Sequence, residues 1–338
     1  MELVFAGAGL RGYAYFGSLY ELFGDDLRRT KSVIGTSFGA VVSVACAMHT
    51  SPMRAMEVAD QVIPDNLLTF DIKNLFMKKG LTLKSHMCKY LREMMERLVG
   101  GSSRWTLEQL EAYRGVRVQI VTTDLHSMME VVVPKHWNVV DAMYASMALP
   151  LAMEPIEMDG QTFVDGGVVN NFPMNLATMD EVYGFCVDES LVVPRHERMG
   201  HLTFFTRMLF MMMFRHGHLI WEALSPEQKT RVIICRVPEM PFISSVMTSR
   251  QRWDVFVRGK MGVRIWQTLT GPPSAHYQTH LWDLGRLDRR YDAMVQLGML
   301  VYALVFGTLQ HGQGAGDAFQ EPHTADVVGR RRSIEAID

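Results

Sequence analysis

Twice within its first 50 residues the chain passes from a short apolar segment, through a glycine-containing turn, into a segment with helical spacing. Residues 2–6 and 32–35 fit strands, and residues 13–23 and 38–48 fit helices. Further strands are predicted at 116–122, 130–133, 182–187 and 231–237, and further helices at 52–62, 84–99, 138–147, 201–223 and beyond 244. Strands that alternate with helices predict a three-layer α/β/α fold around a mostly parallel sheet. The pair Asp159-Gly160 predicts a hairpin that makes this sheet mixed, and residues 65–80 are predicted as a loop.

The composition excludes several classes of protein. The chain has 338 residues, 48% of them hydrophobic, and a formal net charge of -2, which gives no bulk electrostatic reason to bind nucleic acid. Its four cysteines form no CxxC pair, so neither a zinc site nor a disulfide framework is predicted. We expect no metal and no cofactor. The N-terminus lacks the pattern of a secretory signal, which favours an intracellular protein. We expect a catalytic domain at residues 1–180, completion of the same fold by residues 181–311, and a disordered tail at 312–338.

Two apolar stretches bear on membrane contact. Residues 202–214 and 293–309 are both shorter than the roughly 20 apolar residues that a membrane-spanning helix requires. We interpret them as buried or interfacial helices. As interfacial helices they would contact acyl chains or the membrane surface peripherally.

The first glycine-rich turn, GAGLRG at residues 7–12, is a GxGxxG sequence and raises the hypothesis of a dinucleotide site. Such a site needs an acidic residue at the end of the second strand, to bind the ribose hydroxyls. The second strand here runs into Gly35-Thr36-Ser37, and Asp25 and Asp26 precede it. The pattern therefore disfavours a dinucleotide oxidoreductase.

The second turn, GTSFG at residues 35–39, has the pattern of a nucleophile elbow, in which a sharp strand-to-helix turn projects a serine. An ordinary α/β-hydrolase is disfavoured, because only one strand precedes the elbow and no late histidine stands out. Asp165, in the segment FVDGG at the end of a short apolar strand, is the alternative base.

Together, GAGLRG, GTSFG and DGG in this order resemble the patatin-like phospholipases, lipid acyl hydrolases that use a Ser-Asp dyad. The segments VQIVTTDL, DAMYASMALPLAMEPI and DGGVVNNFP are also similar to that family. The resemblance implies that Ser37 is the nucleophile and Asp165 the proton acceptor. It implies an oxyanion hole formed by backbone N–H groups of Gly7, Ala8, Gly9 and Leu10, and supporting roles for Arg11, Gly12, Gly35, Gly39, Gly166 and Gly167.

Four further positions in these motifs bear on the site: Ala8, Arg11, Asn170 and Asn171. Ala8 departs from the family, in which many members have glycine; only a positive φ would make alanine uncomfortable there. Arg11 either holds the loop and adds positive potential or forms a surface salt bridge. Asn170 and Asn171 are predicted to hydrogen-bond in the turn after Asp165.

These observations predict a serine lipid acyl hydrolase of the phospholipase A type, acting on a phospholipid or another acyl lipid. An acyltransferase or thioesterase using the same dyad, and a catalytically silent lipid-binding protein, stay open as alternatives.

Overall fold

A mixed β-sheet forms the centre of the molecule and positions the predicted site at one edge. The computed structural model describes residues 1–69, 71–187, 211, 213, 217–237 and 246–270. These all belong to one compact unit, Met1–Gly271. The strands are β1 (Glu2–Phe5), β2 (Ser32–Thr36), β3 (Gly80–Thr82), β4 (Arg117–Asp124), β5 (Met129–Val132), β6 (Leu151–Met153), β7 (Ile156–Met158), β8 (Gln161–Asp165), β9 (Val182–Val187) and β10 (Val232–Cys235).

Among the described residues, eight of these strands form the main sheet, in the order β10-β9-β1-β2-β4-β8-β7, with β5 also paired to β4. The five strands from β10 to β4 are parallel. The strands β5, β7 and β8 pair antiparallel. This topology confirms the predicted α/β fold with a mostly parallel, mixed sheet.

The helices are α1 (Tyr13–Phe23), α2 (Phe38–Ala47), α3 (Pro52–Val62), α4 (Ile72–Lys78), α5 (Lys84–Leu98), α6 (Leu107–Arg114), α7 (Val139–Met147), α8 (Gly167–Asn170), α9 (Pro226–Thr230) and α10 (Ser249–Thr270). Residues 217–223 are also helical. Local signals set several of these boundaries. Thr106 and Gln109 form a capping box at the start of α6.

Both faces of the sheet are buried. Leu3 and Phe5 belong to one apolar cluster, whereas their neighbours Val4 and Ala6 belong to a second. Since successive side chains of a strand point to opposite faces, the two clusters lie on opposite sides of the sheet. The first contains side chains of α1, α2 and α10, and the second contains Phe172 and residues of the 217–224 segment. The chain therefore has the three layers that its sequence predicts.

The turn between β7 and β8 is the predicted hairpin. Asp159 and Gly160 both have positive φ, at 51° and 76°, as the type I′ turn requires. The prediction of a loop over residues 65–80 is wrong, because α4 lies within it and β3 begins at its end. Asp71 caps α4 by accepting a hydrogen bond from the Lys73 N–H. The strands β3 and β6 form a separate parallel pair that was not predicted.

Several predictions concern residues that the structure does not describe. The stretch 293–309 and the tail 312–338 lie outside the described residues, and of the stretch 202–214 only Met211 and Met213 are described. Met213 is buried. Within the described part of the chain, none of the helices combines the length and the apolar character needed to cross a bilayer.

Candidate active site

Ser37 occupies a sharp turn between β2 and α2. Its backbone has φ 54° and ψ -127°, a conformation that side-chain-bearing residues rarely adopt and that is typical of a nucleophile elbow. The Ser37 N–H donates to the Ser146 Oγ at 2.8 Å, and the Ser146 hydroxyl donates to the Val121 carbonyl at 2.6 Å. Ser146 thus ties the elbow to β4. Sequence reasoning missed this role, although Ser146 lies within one of the segments that resemble the family.

Asp165 ends β8, and strand pairing brings it to Ser37. Thr36 pairs with Val121 of β4, and Asp165 pairs with Thr122, the next residue of the same strand. The ends of β2 and β8 therefore meet on β4. The Ser37 hydroxyl donates to the Asp165 Oδ2 at 2.8 Å, across 128 positions of sequence.

The Asp165 carboxylate is buried, with only 2% of the residue exposed. Burial raises its pKa from the ordinary 3.8 to about 7, although hydrogen bonds from the Gly167 N–H and the Ser37 hydroxyl oppose this rise. Ser37 itself is 9% exposed. The result is a carboxylate whose proton affinity is far higher than that of an exposed aspartate, next to a serine hydroxyl.

The glycine-rich loop after β1 lies beside this pair. The Gly7 N–H donates to the Asn171 carbonyl at 2.9 Å, and the Asn171 side chain donates to the Gly7 carbonyl at 3.2 Å. Because its N–H is already bonded, Gly7 differs from the expectation and anchors the loop instead. Gly9 and Leu10 line the same cavity as Ser37.

Ala8 fits the loop without backbone strain. Its φ is -143°, whereas the neighbouring Gly9 has the positive φ of 54° that favours glycine. The residue in this loop that needs glycine for its conformation is therefore Gly9. Alanine at position 8 keeps its N–H and has no conformational cost.

The supporting residues of the motifs are fixed by close packing. At five of the glycines a Cβ would lie less than 3.0 Å from another atom: Gly12, Gly35, Gly39, Gly166 and Gly167. At Gly39 that atom is the Phe5 carbonyl oxygen, so α2 approaches β1 as closely as backbones allow. Arg11 is buried, with 3% of the residue exposed.

The two asparagines after Asp165 hydrogen-bond to the motifs around them. The Asn170 carbonyl accepts a hydrogen bond from the Thr36 hydroxyl at 3.0 Å, and its side chain donates to Glu130. Asn171 holds the loop at Gly7. Both residues connect the elbow, the loop and the DGG turn.

Comparison with known proteins places this arrangement in a family. The family model for "Patatin-like phospholipase" matches residues 3–178, just over half of the chain. The chain belongs to the patatin-like phospholipase family. It is similar to an uncharacterized NTE family protein of Mycobacterium tuberculosis, with 31% identity over 56% of this chain and 30% of that protein.

Two further likenesses are more distant. A protein named "Probable lipid hydrolase" from invertebrate iridescent virus 6 is 24% identical over 52% of this chain and 62% of its own length. The crystal structure of VipD from Legionella pneumophila is similar with a TM-score of 0.46 and 13% identity, over 80% of this chain and 67% of that chain. The chain spans less than two thirds of the M. tuberculosis and viral relatives.

An apolar cavity opens at Ser37 and Asp165 in this patatin-like domain. It has a volume of about 90 Å³, and Ser37 and Asp165 form part of its wall. The remaining wall comes from the glycine-rich loop, from α2, from the 63–68 segment, from α5 and from the 147–153 segment, and is almost entirely apolar. Sequence reasoning did not find this cavity, because its walls are far apart along the chain.

A buried arginine fixes one wall of the cavity. Arg252 on α10 donates to the Asp60 carboxylate at 2.6 Å and to the Asp65 carboxylate at 3.0 Å. The chain between these two carboxylates includes Ile63, and Leu67 lies two residues after Asp65; both line the cavity. The shape of the cavity therefore depends on α10, outside the three motifs. In the described residues no group of His, Cys, Asp and Glu is arranged to hold a metal ion.

Proposed function

We propose that this chain is a serine lipid acyl hydrolase of the phospholipase A type, with Ser37 as nucleophile and Asp165 as base. The observation that carries the proposal is the 2.8 Å hydrogen bond from the Ser37 hydroxyl to the buried Asp165 carboxylate. Membership of the patatin-like phospholipase family supports a lipid substrate. The apolar cavity beside the dyad supports an acyl chain as the part of the substrate that binds there.

In the proposed first step, the Ser37 Oγ attacks the carbonyl carbon of the ester while its proton passes to the Asp165 Oδ2. A serine hydroxyl is a weak nucleophile until a neighbouring base accepts its proton. The pKa of about 7 brings the carboxylate closer to the proton affinity that this transfer needs. Asp165 then gives the proton to the departing alcohol, which leaves an acyl group on Ser37.

In the second step, water attacks the acyl-enzyme and Asp165 accepts a proton from it. The fatty acid leaves, and the proton returns to the Ser37 oxygen. Both steps place negative charge on the carbonyl oxygen, which backbone N–H groups stabilise. We assign this role to Ala8, Gly9 and Leu10, and a further contribution to the positive end of α2, which begins directly after Ser37.

The test combines a covalent probe with a hydrolysis assay. We expect wild-type protein to react with a fluorophosphonate probe and to release fatty acid from phosphatidylcholine vesicles. The Ser37→Ala variant should lose labelling completely, and Asp165→Ala should lower hydrolysis by about 100- to 10,000-fold.

Ser43→Ala is a matched control. Ser43 is a buried serine on α2 whose hydroxyl has no hydrogen-bond partner among the described residues. This variant should be labelled like the wild type. Equal labelling and hydrolysis in wild type, Ser37→Ala and Asp165→Ala would refute the dyad.

A further inference from the structure

Helix α4 presents an unusual surface for a short helix. None of its seven residues is buried. Phe76 and Met77 are 82% and 81% exposed, and Ile72 on the same helix is also exposed. Large apolar side chains at this exposure, next to each other, mark an interaction surface.

This helix lies at the rim of the catalytic cavity. The chain enters α4 shortly after Leu68, which lines the cavity, and leaves it into β3. In turn, β3 pairs with β6, where Thr82 is the partner of Met153, another residue of the cavity wall. Both ends of α4 are thus attached to the walls of the cavity that holds the dyad.

A second exposed apolar segment borders the same region. The turn between β4 and β5 carries Leu125 and Met128, and Met129 begins β5; all three are exposed. A second cavity of about 310 Å³ is lined by Lys79, directly after α4, by Leu125 and by Met153. Met153 also lines the catalytic cavity, so the two exposed segments flank one continuous region around the site.

The charge of this region is positive along α4. Residues 72–79 contain Lys73, Lys78 and Lys79 and no acidic residue. Lys78 lies 3.9 Å from the partly buried Glu154, and Lys79 lies 3.4 Å from Glu157 in an exposed pair that is worth little in water. Lysines beside exposed aromatic and aliphatic side chains are complementary to an anionic lipid surface.

We infer that Ile72, Phe76 and Met77 of α4, with Leu125, Met128 and Met129 of the β4–β5 turn, form a docking patch for an anionic phospholipid bilayer. The apolar side chains enter the headgroup region, and the lysines contact lipid phosphates. Docking in this orientation places the rim of the catalytic cavity at the membrane, where a lipid can pass to Ser37 without crossing water. The inference rests on the proposed function, because docking would deliver lipid for hydrolysis. Binding of the protein to vesicles does not itself require hydrolysis.

The test measures vesicle binding without hydrolysis, in the Ser37→Ala background. Binding to phosphatidylcholine vesicles with and without phosphatidylglycerol is followed by co-sedimentation. The pair of changes F76S and M77S is expected to weaken binding at least about tenfold. The matched control is V257S with M261S, which removes two exposed apolar side chains from α10 and should leave binding within about twofold.

The lysines are tested separately. Lys73→Gln is expected to weaken binding to vesicles that contain phosphatidylglycerol by about fivefold, and to leave binding to pure phosphatidylcholine unchanged. In protein that retains Ser37, F76S with M77S should lower hydrolysis of vesicle lipid. It should not alter hydrolysis of a short-chain, water-soluble ester.

Several results would overturn the docking patch. The docking patch is refuted if the wild-type protein binds no vesicles or if F76S with M77S binds them equally well. It is also refuted if the control V257S with M261S loses as much binding. A dimer that dissociates on F76S and M77S while vesicle binding stays unchanged would assign the surface to a second copy of the chain. Vesicle binding that depends on Phe76, in a protein whose wild type hydrolyses no ester, would refute the proposed function and leave the docking patch intact.

Discussion

Replacing Asp165 with asparagine is expected to abolish catalysis and to stabilise the fold above neutral pH. Folding raises the pKa of Asp165 from 3.8 to about 7, so the native protein keeps a proton that the unfolded chain releases between these values. The wild-type free energy of unfolding therefore falls as pH rises through this window. At about 1.4 kcal/mol per pH unit, the total is about 4 kcal/mol. Asparagine stays neutral and avoids this loss.

The amide fits the hydrogen bonds that the carboxylate makes. The Gly167 N–H donates to one carboxylate oxygen at 2.7 Å, and the Ser37 hydroxyl donates to the other at 2.8 Å. In the variant, the amide oxygen accepts from Gly167, and the amide nitrogen donates to the Ser37 oxygen, whose hydroxyl rotates away. The Gly167 N–H and the Ser37 oxygen each keep a hydrogen-bond partner, and the change in stability with pH comes from the loss of the titrating carboxyl group.

The assay is urea unfolding followed by tryptophan fluorescence, from about pH 4 to about pH 9. The difference in free energy of unfolding between Asp165→Asn and wild type should grow by about 4 kcal/mol across this range and then level off. Ser37→Ala is the control, because it is equally inactive but keeps the carboxyl group and hence the pH dependence. Parallel curves for wild type and Asp165→Asn would refute the buried, high-pKa carboxylate.

Three further predictions concern the same site. The kcat/KM for ester hydrolysis should rise about tenfold per pH unit below about pH 7 and then level off, because only ionised Asp165 accepts the proton; a flat pH profile would contradict this. Ala8→Gly should lower the free energy of unfolding by about 0.5–1 kcal/mol and leave kcat within about twofold, since φ at this position is -143°. Denaturation and ester assays check it, and a large gain in kcat would show that alanine strains the loop. Ser146→Ala leaves the buried Ser37 N–H without its acceptor and should cost about 1–3 kcal/mol of stability together with a fall in kcat, whereas unchanged values for both would remove Ser146 from the site.

Local sequence signals predict the parts of this fold that depend on neighbouring residues. The helix Tyr13–Phe23 and the strand Val182–Val187 have the bounds that apolar periodicity indicates. The hairpin at Asp159-Gly160 follows from turn chemistry, because both residues tolerate positive φ. The elbow and the DGG turn are also short motifs of neighbouring residues. Ser37 and Asp165 can therefore be selected from the sequence before the distance between their side chains is known.

Features that depend on contacts distant in sequence could not be predicted in this way. The strand Leu151–Met153 is three residues long and forms only because Gly80–Thr82 pairs with it. Helix α4 is only seven residues long and buries no residue, so its sequence is too short to show the repeated apolar periodicity that marks a packed helix. Ser146 acquires its role through Val121 and Ser37, which are 25 and 109 positions away. For the strand Leu151–Met153 and for Ser146, the deciding partner lies elsewhere in the chain.

Strand register sets the distance between Ser37 and Asp165. A slip of one residue between β8 and β4 would turn the Asp165 side chain to the opposite face of the sheet and remove the base from the elbow. The pairing of Asp165 with Thr122 is reinforced by the Thr123 hydroxyl, which donates to the Asp165 carbonyl at 3.0 Å. Phe163, two residues earlier on β8, packs edge-on against the buried Trp137, with ring centroids 5.1 Å apart. Because burial of the carboxylate costs stability, these contacts along β8 must hold the strand in the register that places Asp165 beside Ser37.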